Sequence, residues 1–292
     1  MTAGMQFKSL DEFLTQAARA KGPMALIFAE DGVEIDSTVL HHSQAGFSEI
    51  ALFAPPDIAI SGATLALADR VDFDTSAEGA LSRAVNRLIG AVPAGTWLYY
   101  CFNAEYLFFP FSASRNVREM LAFHAEERRA AMLAYVIDLY AADLGRDPSG
   151  VSRESAHFDR AGYYALSRKG PAPDYAAQDR QLDIYGGLRW RFEDHVPFAR
   201  RRIDRIALFQ AKPGLRLGDD HTLSEAEMNT YACPWHNNLT AAVCSFRTAK
   251  ALRANPGSRR AIKSFLWHNS QAFDWQAQQL MDLGIIEPGQ WF

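Results

Sequence analysis

The sequence has little cysteine, no dominant charge and no long apolar run. Its 30 Lys and Arg against 34 Asp and Glu give a net charge of −4, which offers no general attraction to nucleic acid or to an anionic bilayer. Three cysteines, an odd number without metal-type spacing, are typical of a reduced compartment. No apolar stretch reaches the ~20 residues of a membrane span, and the N-terminus lacks the basic flank and apolar run of a signal peptide. We therefore expect a cytoplasmic protein with no nucleic-acid partner and no membrane span.

What is present is the composition and patterning of a globular α/β chain. Hydrophobic residues make up 48% of 292 residues, enough for one large core, and we expect a single domain over residues 1–292. Residues 23–29 and 48–56 predict buried strands, and the helical pattern between them ends at Gly46. Two consecutive parallel strands need a crossover connection between them, usually a helix. The order strand, helix, strand therefore predicts a mostly parallel, Rossmann-like sheet flanked by helices.

The remaining elements follow from the same patterns. Residues 145–182 are rich in Gly, Pro, Asp and Arg and predict an extended loop region with short elements over the sheet. Helical periodicity and apolar runs predict the other elements. They are a helix at 10–20, short strands within 64–74, a helix at 78–91, a strand at 97–103, a long helix over Val117–Leu144, a strand at 203–209, and closing helices at 239–254 and 258–283.

Polar side chains follow several of these predicted strands. Asn103 and Glu105 end the strand at 97–103, and Glu30 and Asp31 follow the first strand. Ligands in open α/β proteins collect at the carboxyl ends of strands, so these side chains are candidate site residues. For Glu30 and Asp31 a solvated turn before a helix is the open alternative.

Asp72 and Asp74 alternate on one strand face after the third apolar run. This spacing directs both carboxylates toward the same side of the sheet. They are therefore candidates for the same cleft.

The stretch 84–107, AVNRLIGAVPAGTWLYYCFNAEYL, joins an amphipathic helix to an apolar strand that ends in an acid. It resembles the nucleotide-sugar segment of family 2 and family 92-like glycosyltransferases, in which a helix carrying an Asn runs into a strand ending D-x-D-[DE]-F-L. In that register Phe102 and Ala104 stand at the two Asp positions, and Glu105 with the next two residues keeps the pattern. The resemblance implies an A-type glycosyltransferase fold. It also implies transfer of a sugar from a nucleotide-sugar donor to a hydroxyl acceptor, as in glycan or polysaccharide synthesis, with inversion in family 2.

The resemblance also implies roles for individual residues. Glu30 and Asp31 would read the base and ribose of the donor, and Asn86 would pack beside the nucleotide. The pair Glu193 and Asp194 resembles the family's E-D pair, whose carboxylate acts as the base that takes the proton from the acceptor hydroxyl.

Three side chains are candidates for contact with the diphosphate. Arg189 and Arg191, within IYGGLRWRF, offer guanidinium forks that match phosphate oxygens. His221 resembles the family's late His, whose role is diphosphate or metal contact.

The family's divalent cation, Mn²⁺ or Mg²⁺, neutralises the departing diphosphate, but Phe102 and Ala104 supply no oxygen ligand. If a metal is bound, Glu105, Asp74 and His221 are the substitute ligands. On this interpretation 23–111 is the nucleotide-sugar-binding half, 112–238 the acceptor half, and 239–292 a helical tail that packs on the sheet or makes a homo-oligomer.

Two other function classes stay open from the sequence. The loss of the metal acids favours a catalytically inactive nucleotide-sugar-binding or interaction domain of the same fold. A metal-dependent hydrolase is the second alternative, and it would use Asp219, Asp220, His221 and His236.

Overall fold

The structure is a computed structural model that describes residues 4–291. The chain is α/β, with a large, mostly parallel mixed sheet flanked by helices, which confirms the predicted fold class at this level. The strands are β1 (Gln6–Phe7), β2 (Met24–Phe28), β3 (Glu49–Ala54), β4 (Asp69–Asp72), β5 (Trp97–Phe102), β6 (Glu105–Phe108), β7 (Ala131–Asp138), β8 (Tyr140–Ala141), β9 (Ala156–Asp159), β10 (Tyr164–Lys169), β11 (Ala177–Tyr185), β12 (Asp204–Gln210), β13 (Ala241–Ser245) and β14 (Ser270–Ala272). The helices are α1 (Leu10–Ala17), α2 (Ile35–Gln44), α3 (Gly62–Leu65), α4 (Ala80–Ala91), α5 (Val117–Glu126), α6 (Gly187–Arg191), α7 (Arg247–Ala254), α8 (Pro256–Ala261) and α9 (Ala277–Asp282).

The chain folds into two compact units, each built from several segments. Unit 1 contains the described residues up to Leu107, Ser114–Leu133 and Ile206–Asn229. Unit 2 contains Phe108–Ala113, Ala134–Arg205 and the described residues from Thr230 onward. These bounds differ from the predicted division at residues 111 and 238, because parts of the predicted acceptor half return to unit 1.

Unit 1 is built on strands in the order β1-β4-β3-β2-β5-β12. The first five pair in parallel, and β12 runs antiparallel to β5. Strand β2, with the sequence MALIF, is buried along its whole length, as expected of a parallel strand covered on both faces. Successive strands β3 and β4 lie on one side of β2, whereas β5 lies on the other. The order therefore reverses between β2 and β5, which makes this pair a topological switch point.

Helices α1 and α5 of unit 1 begin at capping residues that the sequence supplies. The Ser9 hydroxyl accepts the backbone N–H of Glu12 at the start of α1. Asn116 and Glu119 form a reciprocal capping box at the start of α5. Such caps satisfy backbone donors that a helix leaves without partners, and they fix where each helix starts.

Unit 2 contains the parallel pair β7 and β13, in register from Ala241 opposite Ala134 to Ser245 opposite Asp138. Strands β10 and β11 form an antiparallel ribbon, and β14, β9 and β8 form a small antiparallel sheet. The predicted loop region at 145–182 thus contains most of three strands.

The predicted helix over Val117–Leu144 is wrong beyond its first part. Helix α5 ends at Glu126, Arg128 adopts a left-handed conformation with φ 58°, and β7 begins at Ala131. The apolar run 131–137 is almost wholly buried. Periodicity alone does not separate a buried strand from a buried helix, and pairing with β13 decides for the strand.

The C-terminal helices were also predicted too long. Residues Ala241–Ser245 are fully buried and pair with β7, so the predicted helix at 239–254 exists only as α7. The region 258–283 contains the end of α8, the strand β14 and helix α9. The tail is therefore partly helical, and it also supplies a buried strand.

Candidate functional site

The carboxyl ends of β2 and β5 meet at the switch point of unit 1. Phe28 and Phe102, the last residues of these strands, are paired in register. Asn103 then donates its backbone N–H to the carbonyl of Phe28 at 3.1 Å. This is the position at which an open α/β sheet binds its ligand.

Asn103 fastens the loop after β2 to the end of β5. Its Oδ1 accepts the backbone N–H of Glu30 at 2.9 Å, and its Nδ2 donates to the Oδ1 of Asp31 at 2.6 Å. The same Nδ2 lies 2.8 Å from the carbonyl oxygen of Val33. Because Asn103 is fully buried, its amide holds this acidic loop from inside the protein.

The two acids of this loop lie at the surface. Glu30 is exposed and Asp31 half-buried. The Oδ1 of Asp31 accepts both the Asn103 amide and the backbone N–H of Val33. We call this arrangement, Glu30, Asp31 and Asn103, the switch-point cluster.

Glu105, by contrast, lies in the interior. It has no exposed surface, and its Oε2 accepts the backbone N–H of Phe102 at 2.9 Å. Between them Ala104 has a left-handed φ of 60°, and its N–H donates to the Thr38 hydroxyl. The carboxylate of Glu105 therefore closes the turn between β5 and β6 rather than facing the rim as the sequence predicted.

The loop after β4 is fastened beside the same rim. The Thr75 hydroxyl donates to the carbonyl of Ala29 at 2.7 Å. Asp74 is exposed and accepts both the N–H and the hydroxyl of Ser76. These hydrogen bonds, chiefly the one from the Ser76 hydroxyl, lower the pKa of Asp74 below its ordinary value. The carboxylate of Asp74 is thus held in its charged form next to the end of β2.

Asp72 has a different environment. Its Oδ1 accepts the Arg70 guanidinium at 3.2 Å, and its Oδ2 lies 3.5 Å from the Lys8 ammonium. Both oxygens therefore have a cationic partner, which favours a structural contribution from Asp72.

Asn86 supports the loop that carries His221. Its amide makes a reciprocal pair with the backbone of Leu217, donating to the carbonyl at 2.9 Å and accepting the N–H at 2.7 Å. A second contact joins the hydroxyl of Ser82 to the carboxylate of Asp219. Helix α4 thus positions this loop, and the Asn86 amide is engaged with its backbone.

His221 packs on the end of β5. Its ring stacks on Tyr100 with centroids 5.7 Å apart, and its Nδ1 lies 3.2 Å from the Tyr100 hydroxyl. The backbone φ of 63° places His221 in the left-handed region. A half-buried imidazole is thereby held against β5 in unit 1.

The two arginines of the IYGGLRWRF segment are engaged within unit 2. Arg189 donates its Nε to Asp138 at 3.3 Å, and Arg191 donates its Nε to Asp159 at 2.8 Å. The Arg191 guanidinium also lies 4.8 Å from the centre of the Trp267 ring. Both side chains are largely buried. They therefore form ion pairs with buried carboxylates of unit 2 rather than facing a diphosphate as the sequence predicted.

Glu193 and Asp194 lie in a short 3-10 turn of unit 2, and both are exposed. Glu193 makes an ion pair with Arg201 at 2.9 Å. Asp194 follows it on the surface. Their assignment as the catalytic base stays a prediction.

The residues proposed as metal ligands do not form a metal-binding group. Among residues 4–291, no three His, Cys, Asp or Glu side chains are arranged to hold a metal ion. Asp74, Glu105 and His221 therefore do not come together, and neither do Asp219, Asp220, His221 and His236. No group of three such side chains is therefore available to Mn²⁺ or Mg²⁺ in the part of the chain that the structure describes.

Sequence reasoning missed Asp138, the acid at the carboxyl end of β7. It is almost fully buried, accepts the backbone N–H of Arg189 at 3.2 Å, and lies beneath Gly187, where a Cβ would come within 3.0 Å of its Oδ2. Burial raises the pKa of this carboxyl. The available signal was an acid that ends an apolar run, AMLAYVID, which was interpreted as a helix.

Neither a scan against protein-family models nor a search of curated proteins found a match to the chain. No helix within residues 4–291 combines the length and apolarity needed to cross a bilayer. The fold and the switch-point cluster therefore carry the functional inference.

Proposed function

We propose that the chain is an A-type glycosyltransferase that moves a sugar from a nucleotide-sugar donor to a hydroxyl acceptor in glycan or polysaccharide synthesis. The observation that carries this proposal is the switch-point cluster. Asn103, buried between β2 and β5, holds Asp31 at the carboxyl edge of a parallel sheet. This edge is where doubly wound folds bind nucleotides.

The donor nucleotide is proposed to lie along the rim of unit 1. A carboxylate such as Asp31 accepts hydrogen bonds from the two ribose hydroxyls, and the charged form of Asp74 adds acceptors beside it. Charge-assisted hydrogen bonds of this kind are shorter and stronger than neutral ones. The imidazole of His221 would donate to an oxygen of the diphosphate.

Transfer to the acceptor needs a base and a leaving group. The base takes the proton of the acceptor hydroxyl as that oxygen bonds to the anomeric carbon; Glu193 and Asp194 stay the prediction from the sequence for this carboxylate. The bond from the anomeric carbon to the diphosphate breaks in the same step, and the nucleoside diphosphate leaves. No step is assigned to a metal ion.

Binding is tested by calorimetry and thermal shift of the full chain with UDP, GDP and CMP and their sugars. A ligand that binds only the folded state stabilises it by about 2.7 kcal/mol at a hundredfold excess over its Kd. Asp31→Asn is expected to weaken binding about tenfold, since it removes a charged acceptor. Glu126→Gln, a matched loss of an exposed acid on α5, is expected to bind like the wild type. Absence of binding to every nucleotide would exclude the proposal.

The second candidate is a nucleotide-sugar-binding domain without catalysis. Phe102 and Ala104 at the family's acidic positions and the burial of Glu105 favour it. Nucleotide release from donor sugars, followed over a panel of glycan acceptors, separates the two. Release that is lost in Asp194→Asn, with donor binding intact, supports the transferase. Binding with no release from any donor supports the binding domain.

A further inference from the structure

A concave site lies in unit 1 at the edge of its sheet opposite to the switch-point cluster. A cleft of about 280 Å³ lies where the parallel strands begin. Residues that precede β2 and β3, the first residue of β5, and one face of α5 form its walls. They are Lys21, Gly22, Pro23, Ser48, Trp97, Arg118, Leu121, Ala122 and Ala125.

The shape of the cleft follows from helix α5. The lining positions 118, 121, 122 and 125 lie on one helical face because they are three or four residues apart. Two of them are alanines, whose short side chains leave space above the half-buried ring of Trp97. The volume lies just below the usual range for small-molecule sites, about 300–1,000 Å³, so only a small ligand fits.

The charged residues that line the cleft are both cationic. Lys21 and Arg118 are both exposed at the cleft, and no Asp or Glu is among the nine lining residues. Two acids lie near the cleft and have backbone partners: Glu49 accepts the backbone N–H of Lys21 at 3.2 Å, and Glu119 caps α5. The Nε of Arg118 donates to the carbonyl of Gly46 at 3.2 Å, which holds this guanidinium beside the cleft.

We infer that this cleft binds a small amphipathic anion, a flat aromatic carboxylate whose ring lies against Trp97. Aromatic rings stack favourably in offset geometry, and the leucine and alanine side chains exclude water from the other face. The carboxylate meets the Lys21 ammonium and the Arg118 guanidinium, which pairs well with planar anions. The site is independent of the switch-point cluster, because it lies at the amino ends of the strands.

The test uses 2-naphthoate and its neutral isostere 2-naphthamide as probes of the full chain at low ionic strength. Titration is followed by calorimetry and by ¹H–¹⁵N chemical shifts. We expect 2-naphthoate to bind about tenfold more tightly than the amide and to shift the Trp97 indole and the amides of α5. The double variant Lys21→Ala, Arg118→Ala is expected to remove this preference.

Two further variants make the outcome decisive. Lys212→Ala, Arg216→Ala removes two cations elsewhere in unit 1 and is expected to leave binding unchanged. Ala122→Leu, Ala125→Leu fills the exposed cleft and is expected to abolish binding while the thermal transition stays within a few degrees of the wild type. The inference is wrong if 2-naphthoate and 2-naphthamide bind equally, or if the variant Lys21→Ala, Arg118→Ala binds 2-naphthoate as well as the wild type. It is also wrong if neither probe changes the chemical shift of the Trp97 indole.

Discussion

Replacing Asn103 tests the switch-point cluster directly. The amide makes about three independent hydrogen bonds, since its two N–H groups serve the acidic loop and its oxygen accepts the Glu30 N–H. Each is worth about 1 kcal/mol net, so Asn103→Ala is expected to cost about 3 kcal/mol. The same change should release the loop, and Asp31 should then bind a nucleotide more weakly.

The measurement is urea unfolding combined with hydrogen exchange of the amides at 30–33. Exchange reports local opening even where the two units do not unfold in a single step. We expect the protection of the Glu30 amide to fall in Asn103→Ala. The matched control is Asn86→Ala, which removes a similar pair of amide bonds to Leu217 and should leave protection at 30–33 unchanged.

Asn103→Asp refines this reasoning. It keeps the shape and one acceptor, but it brings a second carboxylate to the position of a donor 2.6 Å from Asp31. Like charges at this distance repel strongly, so this variant should be less stable than Asn103→Ala at pH 7 and should recover near pH 4. Equal stability of Asn103→Asp and the wild type at pH 7 would refute the assigned donor role of the amide.

Two further predictions concern stability. Burial lowers the pKa of His42 to about 3 and that of His124 to about 4 from the ordinary value of 6.5. The unfolded chain therefore takes up protons first, and stability is lost as the pH falls below 6.5. At pH 5 each histidine costs about 2 kcal/mol, so urea midpoints at pH 7 and 5 should differ less in His124→Gln. Arg191→Leu leaves the buried Asp159 without its cation and should cost about 3–5 kcal/mol, measured by urea unfolding. Adding Asp159→Asn should recover part of this loss, and no recovery would contradict the ion-pair account.

The sequence determined the elements from β2 to β3 with little ambiguity. The run MALIF, the helix that follows it and the next strand appear where the pattern predicted them, because each is long enough and flanked by clear stop signals. The sequence also predicted that Glu30, Asp31 and Asn103 lie at strand ends, because the end of each apolar run marks the end of a strand.

Only the tertiary structure decided which side chains are buried and which strands pair with each other. Residues 131–138 and 241–245 become strands because each buries the other in a parallel ladder, and no local pattern encodes a partner more than a hundred residues away. The same holds for polar groups. Glu105 and Arg191 have the chemistry of site residues, but both are buried against specific partners. Glu105 accepts a backbone N–H in the turn after β5, and Arg191 donates to Asp159. A sequence states which groups exist, and packing decides which of them still face water.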